Sequence, residues 1–397
     1  MERLISNSIY CDYNSTSPLS ESVKSFLESG DFLYANPSST HQKGKKSKKV
    51  IREVTDYIKN LYQIENHPLN CVFHSGATEG INTLILGYVY HSLFQKKEKV
   101  TLFYSPTDHS CVISLLPLLE KMGVDNIELP INVHGELVLS DVIKLIKNCS
   151  TSKKLMTFTW VNNETGLVQD LSVAENIKKE TGISVLVDAV QSPGKIKDWN
   201  QIVPDLDCYV FSAHKFGALK GIGFSFINEN FKFTPLIIGG GQQDGLRSGT
   251  ENITGIQSLK LAFEDLVNLT SEEDHFNFRD RILKDIEKTI HDHLKNRKYL
   301  VSEKLPHRNS NTICFVSPTV KANVLMMALD INGLEVSSGS ACSSGASVPS
   351  RVLLSLGFSH EEAQGGIRLS FAPNISLAES AEIKKRLTVV LGKYYHI

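Results

Sequence analysis

Five short apolar runs, each closing on polar residues, constrain this chain most. Cys71-Val72-Phe73 leads into His74-Ser75-Gly76-Ala77-Thr78-Glu79-Gly80, and Val100–Tyr104 into Ser105-Pro106-Thr107-Asp108-His109. Leu155–Trp160 leads into Val161-Asn162-Asn163-Glu164-Thr165-Gly166. Ser184–Ala189 contains Asp188 at its end, and a run from Leu206 closes on Ser212-Ala213-His214-Lys215. Helical spacing separates them: an apolar stretch at 81–90, then Val112, Leu115, Leu116 and Leu119, then 172–181. A longer helix is predicted earlier, from about His41 to Tyr62, with Ser39 or Thr40 as its cap. Strands alternating with helices predict an α/β fold with a mostly parallel sheet covered on both faces. In such sheets ligands bind at the carboxyl ends of the strands. The polar clusters can therefore share one site.

The residue types at those ends indicate a chemistry. A lysine at a strand end can be desolvated, lose its proton and form a Schiff base. Lys215 could equally be a surface lysine after an edge strand. Asp188 on a second strand end shifts the balance, because pyridoxal phosphate needs a carboxylate for its ring nitrogen and an amine for its aldehyde. Strand, small-residue turn and helix at 71–90 form a cup whose free N–H groups and Thr78 hydroxyl suit a phosphate, or form an ordinary helix start. No Gly-Lys-Ser/Thr follows, so it is not a nucleotide P-loop. His109 can move protons or stack on a ring. The glycine-rich stretch 237–250 reads as a flexible polar loop.

Helical spacing from Ser258 to about Leu294 marks a hinge into a second unit. There, strands are predicted near 311–316 and 334–338, a helix at 321–332, and a last helix carrying Ile383, Leu387, Val390, Leu391 and Tyr394. Arg368 lies in an apolar strand and needs a carboxylate partner, from protein or substrate. Cys342 sits in Ser337-Ser338-Gly339-Ser340-Ala341-Cys342-Ser343-Ser344-Gly345-Ala346, among small residues only. That context suits an exposed thiol acting as thiolate. The other six of the seven cysteines read mostly as buried small hydrophobes, and no C-x-x-C pair argues for a disulfide framework or structural zinc. Basic and acidic residues number 42 and 43, so net charge gives no argument for nucleic acid or membrane. The run Lys43–Lys49 reads as a solvated helix face. Met1–Ser6 lacks a signal-peptide layout and no apolar run reaches membrane-spanning length, so a cytoplasmic protein is expected.

The ordered motifs resemble the cysteine desulfurases, a group of pyridoxal-phosphate enzymes within the class V aminotransferases. The resemblance runs from Tyr10-x-Asp12-Tyr13 through Asn36-Pro37-Ser38-Ser39, Ser75–Glu79, Asn162-Asn163-Glu164-x-Gly166, Asp188-Ala189-x-Gln191-Ser192 and Ser212-x-His214-Lys215. It continues through Gly239–Gln242 and Arg247-x-Gly249-Thr250 to Ser337–Cys342. It implies the pyridoxal-phosphate type I fold, with a seven-stranded, mostly parallel sheet in a large domain and a smaller α+β domain. The expected division is 16–258 for the large domain, with 1–15 and 259–397 forming the small one that carries Cys342.

The resemblance also implies roles. Lys215 bonds the cofactor aldehyde, Asp188 pairs with the ring nitrogen, and Gln191 and Asn163 contact the ring side. His109 stacks on the ring and handles protons. Ala77, Thr78, Ser212, Ala213 and His214 hold the phosphate end, and Thr250 reaches in from a partner subunit, which implies a homodimer. Arg368 and Asn163 bind the substrate carboxylate. Cys342 takes sulfur from L-cysteine, leaving L-alanine, and a mobile loop passes it to an acceptor protein serving iron–sulfur assembly, tRNA thiolation or DNA phosphorothioation. No metal and no direct nucleic-acid contact are implied. Four departures from the family pattern stand out: Ala213, Val190, Gly217–Lys220, and Phe371–Asn374 after Arg368. A selenocysteine lyase shares the same features. An aminotransferase would leave Cys342 without a role, and a non-catalytic scaffold would not need Lys215, Asp188 and Cys342 together.

Overall fold

The structure is a computed structural model and describes residues 8–339 and 349–395. Its main sheet has seven strands: β2 Leu69–His74, β3 Val100–Tyr104, β4 Asp125–Glu128, β5 Lys153–Thr159, β6 Ser184–Asp188, β7 Cys208–Ser212 and β8 Gly223–Asn228. Their order is β2-β8-β7-β6-β5-β3-β4. Pairings from β7 to β4 are parallel, while β8 runs antiparallel to both neighbours. This is the mostly parallel architecture expected. All five residues of β7 are buried, as a strand covered on both faces requires.

Local chemistry sets the helix limits. The long helix expected from about His41 follows a shorter one at Glu21–Ser29 and runs Gln42–Leu61, and its cap is His41, whose Nδ1 accepts the Gly44 N–H at 3.2 Å; Ser39 and Thr40 lie outside it. Its lysines face solvent, as expected. The helix after His109 is two pieces, Ser110–Ile113 and Leu116–Lys121, the second starting with Pro117 in its first turn. The spacing from 258 to 294 likewise divides, into Ile253–Thr270 and His275–Leu294, across a turn at 271–274.

An aromatic cluster supports the end of β7. Phe211 stacks on Phe224 at 4.5 Å, Phe216 stacks on Phe263 at 4.4 Å, and Tyr62 sits among Phe211, Phe226 and Trp199. Each such stack adds roughly 0.5–1.5 kcal/mol beyond burial. Because Phe216 follows Lys215 directly, the Phe263 stack fixes where the lysine leaves the strand.

A second core forms around β9 Thr312–Val316, β11 Ser337–Ser338 and β12 Gly366–Ser370, an antiparallel sheet in the order β11-β12-β9. The helices His275–Leu294 and Leu377–Tyr394 cover it. Strand β1, Ile9–Tyr10, pairs in parallel with β10, Leu334–Glu335. The start of the chain therefore joins this second core.

Candidate active site

At the carboxyl ends of β2, β3, β5, β6 and β7 lies a cavity of about 600 Å³. Ala77, Thr78, His109, Asn163, Asp188, Gln191, Ser212, His214 and Lys215 all line it. Three further expected residues do not. Ala213 is fully buried in the turn Ala213–Lys215, Thr250 is exposed outside the cavity, and Arg368 is buried in β12. Cys342 lies outside the described residues.

The turn carrying Lys215 is fastened to the segment 14–20. Ser17 donates its N–H to His214 O and its hydroxyl to Lys215 O, each at 2.8 Å. The Ser20 N–H reaches Gly217 O at 2.9 Å. Gly217 has φ +96°, and a Cβ there would stand 3.2 Å from Ser20 N and Cβ, so glycine serves both conformation and space. The Lys215 ammonium donates to Asn14 O at 2.8 Å and Ser15 O at 2.7 Å. Burial, reinforced by the Arg368 guanidinium, pushes the Lys215 amine down to about 8 despite Asp188 and Asp12.

Asp188 is placed by the end of β6. Burial pushes its carboxyl up to about 6, while the Val190 N–H bond, at 3.0 Å, and the nearby Lys215 favour the ionised form. Val190 thus supplies its backbone where the family pattern has threonine. The His109 Nδ1 accepts the Cys111 N–H at 3.1 Å, which leaves Nε2 to carry the proton. Burial and the Lys215 charge lower the His109 pKa, which favours the neutral ring. His214 is also held neutral, pushed to about 4 by burial and neighbouring lysines.

The turn before the helix Ala77–Tyr90 forms the opposite wall. Gly76 at its cap has no side chain to offer, so the first N–H groups of a fourteen-residue helix face the cavity region without a side-chain cap. Glu79 accepts from Ser75 N at 2.9 Å and from Arg247 Nε at 2.9 Å. Burial opposes its charge, yet these partners hold it down at about 2. Arg247 and Gln243, which bonds both backbone groups of Phe73, pin the stretch 237–250 to the sheet. The expected flexible loop is a tied one.

Arg368 resolves one question left open by its strand. A protein carboxylate, Asp12, takes its Nη2 at 2.7 Å; Ser15 Oγ and Asn163 O take further bonds at 2.8 and 3.0 Å, and Nε has no partner among the described residues. Sequence reasoning missed three residues. Asn14 joins the site together, bonding Lys215, Gln191, Asn163, Lys195, Asn311 and Thr312. Lys195, fully enclosed, donates to Gln191 Oε1. Cys111 lines the cavity, its thiol pushed up by burial and by Asp188 and Asp108. Asn14 gave no signal, since its partners lie far along the chain, and Lys195 reads as an ordinary turn lysine although Gln191 is only four residues before it; Cys111 follows His109 closely and could have been included.

The segment around Cys342 is anchored at its described C-terminal flank. Ser350 donates to Glu164 at 2.5 Å, and Arg351 donates to Asp108 O. Both acceptors adjoin cavity residues, Asn163 and His109.

The aminotransferase class-V family profile matches residues 9–382. A cysteine desulfurase IscS of Clostridium botulinum is 32% identical over 91% of this chain and 89% of its own length. The chain belongs to the cysteine desulfurases of the class-V aminotransferase family. Among solved structures, this desulfurase superposes on a NifS-like protein from Rickettsia africae with TM-score 0.83, at 27% identity, covering 96% of this chain and 99% of that one. A structure described as SspA in complex with cysteine gives TM-score 0.74 at 27% identity, covering 92% and 99%. No helix among the described residues of this desulfurase is long and apolar enough to cross a membrane.

Proposed function

We propose that this cytoplasmic desulfurase uses pyridoxal 5'-phosphate to convert L-cysteine to L-alanine, leaving the sulfur as a persulfide on Cys342 for an acceptor protein. The observation that carries this is Lys215 and Asp188 on one cavity wall system with an uncapped helix N-terminus. An amine, a carboxylate and an anion cradle are the three groups the cofactor requires. The cysteine held by the similar SspA supports the substrate.

The residues divide the work as follows. Pyridoxal phosphate, when bound, supplies an electron sink for the substrate α-carbon. The N–H groups at Ala77 and Thr78, with Ser212 and His214, hold its phosphate; buried Ala213 shapes the turn that presents them. Asp188 would pair with the ring nitrogen, whose positive charge would favour the ionised carboxylate. Gln191 and Asn163 would border the ring, and His109, with Nδ1 taken by the Cys111 N–H, would cover it and hold a proton at Nε2. Lys215, with its lowered pKa, would take the substrate α-proton and return it to the α-carbon as alanine forms. Arg368 would take the substrate carboxylate beside Asn163 by exchanging its Asp12 and Ser15 bonds for it. The Cys342 thiolate attacks the substrate sulfur: an S–S bond forms, the Cβ–S bond breaks, and its electron pair stays on Cβ, which takes a proton to give alanine. Thr250, exposed on its own subunit, completes the phosphate site of a second copy in a homodimer. The two-domain division belongs to the same proposal, with the crossing at the turn 271–274 instead of 258, because Leu259, Phe263 and Leu266 pack into the large core.

Two results are expected. Alanine forms from L-cysteine; alanine from L-selenocysteine alone would make the enzyme a selenocysteine lyase, and none from either would end the assignment. Capture of pyridoxal phosphate by the cofactor-free protein accelerates as pH rises through about 8, because burial lowers the amine whose neutral form attacks the aldehyde. Stopped-flow absorbance from pH 6 to 11 checks this, and a midpoint near 10.5 would mean an exposed lysine.

A further inference from the structure

Lys195 sits in the turn after β6, where its N–H donates to Ser192 O at 3.1 Å and its carbonyl accepts the Ser310 N–H at 3.0 Å. The residue is 5% exposed and does not line the active-site cavity. Its Nζ donates to Asn14 Oδ1 at 3.2 Å and to Gln191 Oε1. An ammonium has donors only, so beside an amide it selects the oxygen and turns the nitrogen away. Burial, then the charges of Lys215, Arg368 and Arg279, push this amine well down against the pull of Asp12, and the neutral amine still has N–H groups to give.

The two amides differ in what else holds them. Asn14 is fixed from both sides: Oδ1 also accepts Asn311 Nδ2 at 3.2 Å, and Nδ2 donates to Asn163 O at 3.0 Å and Thr312 Oγ1 at 2.9 Å. Gln191 has fewer ties. Lys195 takes its Oε1, and its Nε2 donates to Asn14 O at 2.9 Å. That acceptor is shared, because Lys215 Nζ donates to the same oxygen at 2.8 Å. The second hydrogen on Nε2 has no acceptor among the described residues, and Gln191 lines the cavity. With Oε1 spent on Lys195, an N–H is what Gln191 has left to offer there. The reversed amide would set its NH2 group against the Lys195 amine and its oxygen against Asn14 O, two mismatches in a buried place where unmet polar groups are costly.

We propose that Lys195 is a positioning residue: it holds the Gln191 amide so that a hydrogen-bond donor, not an acceptor, is offered to the bound cofactor. The inference rests on the pyridoxal-phosphate reading of the cavity. The ring of that cofactor carries a hydroxyl whose ionised oxygen accepts N–H bonds, so a donor favours the anion where a carbonyl oxygen would oppose it. Lys195 stays outside the cavity and acts only through Gln191.

The test is a pH titration of the holoenzyme's visible absorbance. Lys195→Met should raise the midpoint by about one unit, a tenfold change in the ionisation constant. Gln191→Leu should raise it likewise, and adding Lys195→Met to Gln191→Leu should move it by less than about 0.3 units more. That non-additivity separates orientation through Gln191 from a direct effect of the Lys195 charge. No shift in Lys195→Met, or a full shift that persists in the Gln191→Leu background, would overturn the proposal. Should Lys195→Met not fold, Lys195→Gln takes its place: it keeps N–H donors without the charge and should stay within about 0.3 units of wild type. A shift near one unit in Lys195→Gln would show the charge acting directly and would also overturn the proposal. Wild-type protein that takes up no pyridoxal phosphate would sink the cofactor reading and this inference with it, whereas uptake without these shifts sinks the inference alone.

Discussion

Lys215→Ala is expected to lose covalent attachment of pyridoxal phosphate and to slow alanine formation by about a thousandfold or more. The argument is one of position. Lys195 is the only other lysine buried close to the Asp188 end of the cavity among the described residues, but it does not line the cavity and is held by the side-chain oxygens of Gln191 and Asn14. It cannot turn to the cavity without breaking both bonds. Lys220 lines the cavity but follows the Gly217 turn and is not desolvated to the same degree. Lys215 alone combines burial, a lowered pKa and a backbone cradle from Asn14 and Ser15. Borohydride reduction followed by mass analysis reads the outcome. Cofactor fixed to the chain of Lys215→Ala would show that another amine does this work.

Cys342→Ser is expected to retain the cofactor, form no persulfide, and make alanine at least about a hundredfold more slowly. The remaining cysteines explain why the effect should be large. Burial pushes the thiols of Cys11 and Cys71 up to about 12, and those of Cys111, Cys208 and Cys314 up as well. None of these forms a thiolate readily near neutral pH. Cys149 is lowered by Thr101 and Thr151, but Thr101 lies near the start of β3, at the end of the sheet away from the cavity. Cys111 is the one rival by position, since it lines the cavity. Cys111→Ser is therefore the control, and it should keep persulfide formation. The reverse pattern would move the nucleophile to Cys111.

Strand-end residues were legible in the sequence because each sits where an apolar run stops, and a parallel sheet gathers those stops at one edge. Asp188, Lys215, Asn163 and the 75–79 turn came together for that reason. What was hidden depends on contacts between distant segments. Asn14 looks like a turn residue, yet its bonds reach residues 149 to 356 positions away. Arg279 occupies an ordinary helix position, and its bond to Gly194 O joins segments 85 positions apart. Helix spacing carried across 271–274 because apolar periodicity continues through a polar turn. The cap at His41 was missed because a histidine, not the neighbouring serine or threonine, turns its side chain back to Gly44.

The most direct test of the account is a single turnover of the cofactor-loaded wild-type enzyme with L-cysteine, quantifying alanine and mapping the persulfide by peptide mass analysis. The account predicts one alanine for each persulfide, with the added sulfur on the peptide containing Cys342. Alanine formed with that peptide unmodified and the sulfur on another cysteine would contradict it.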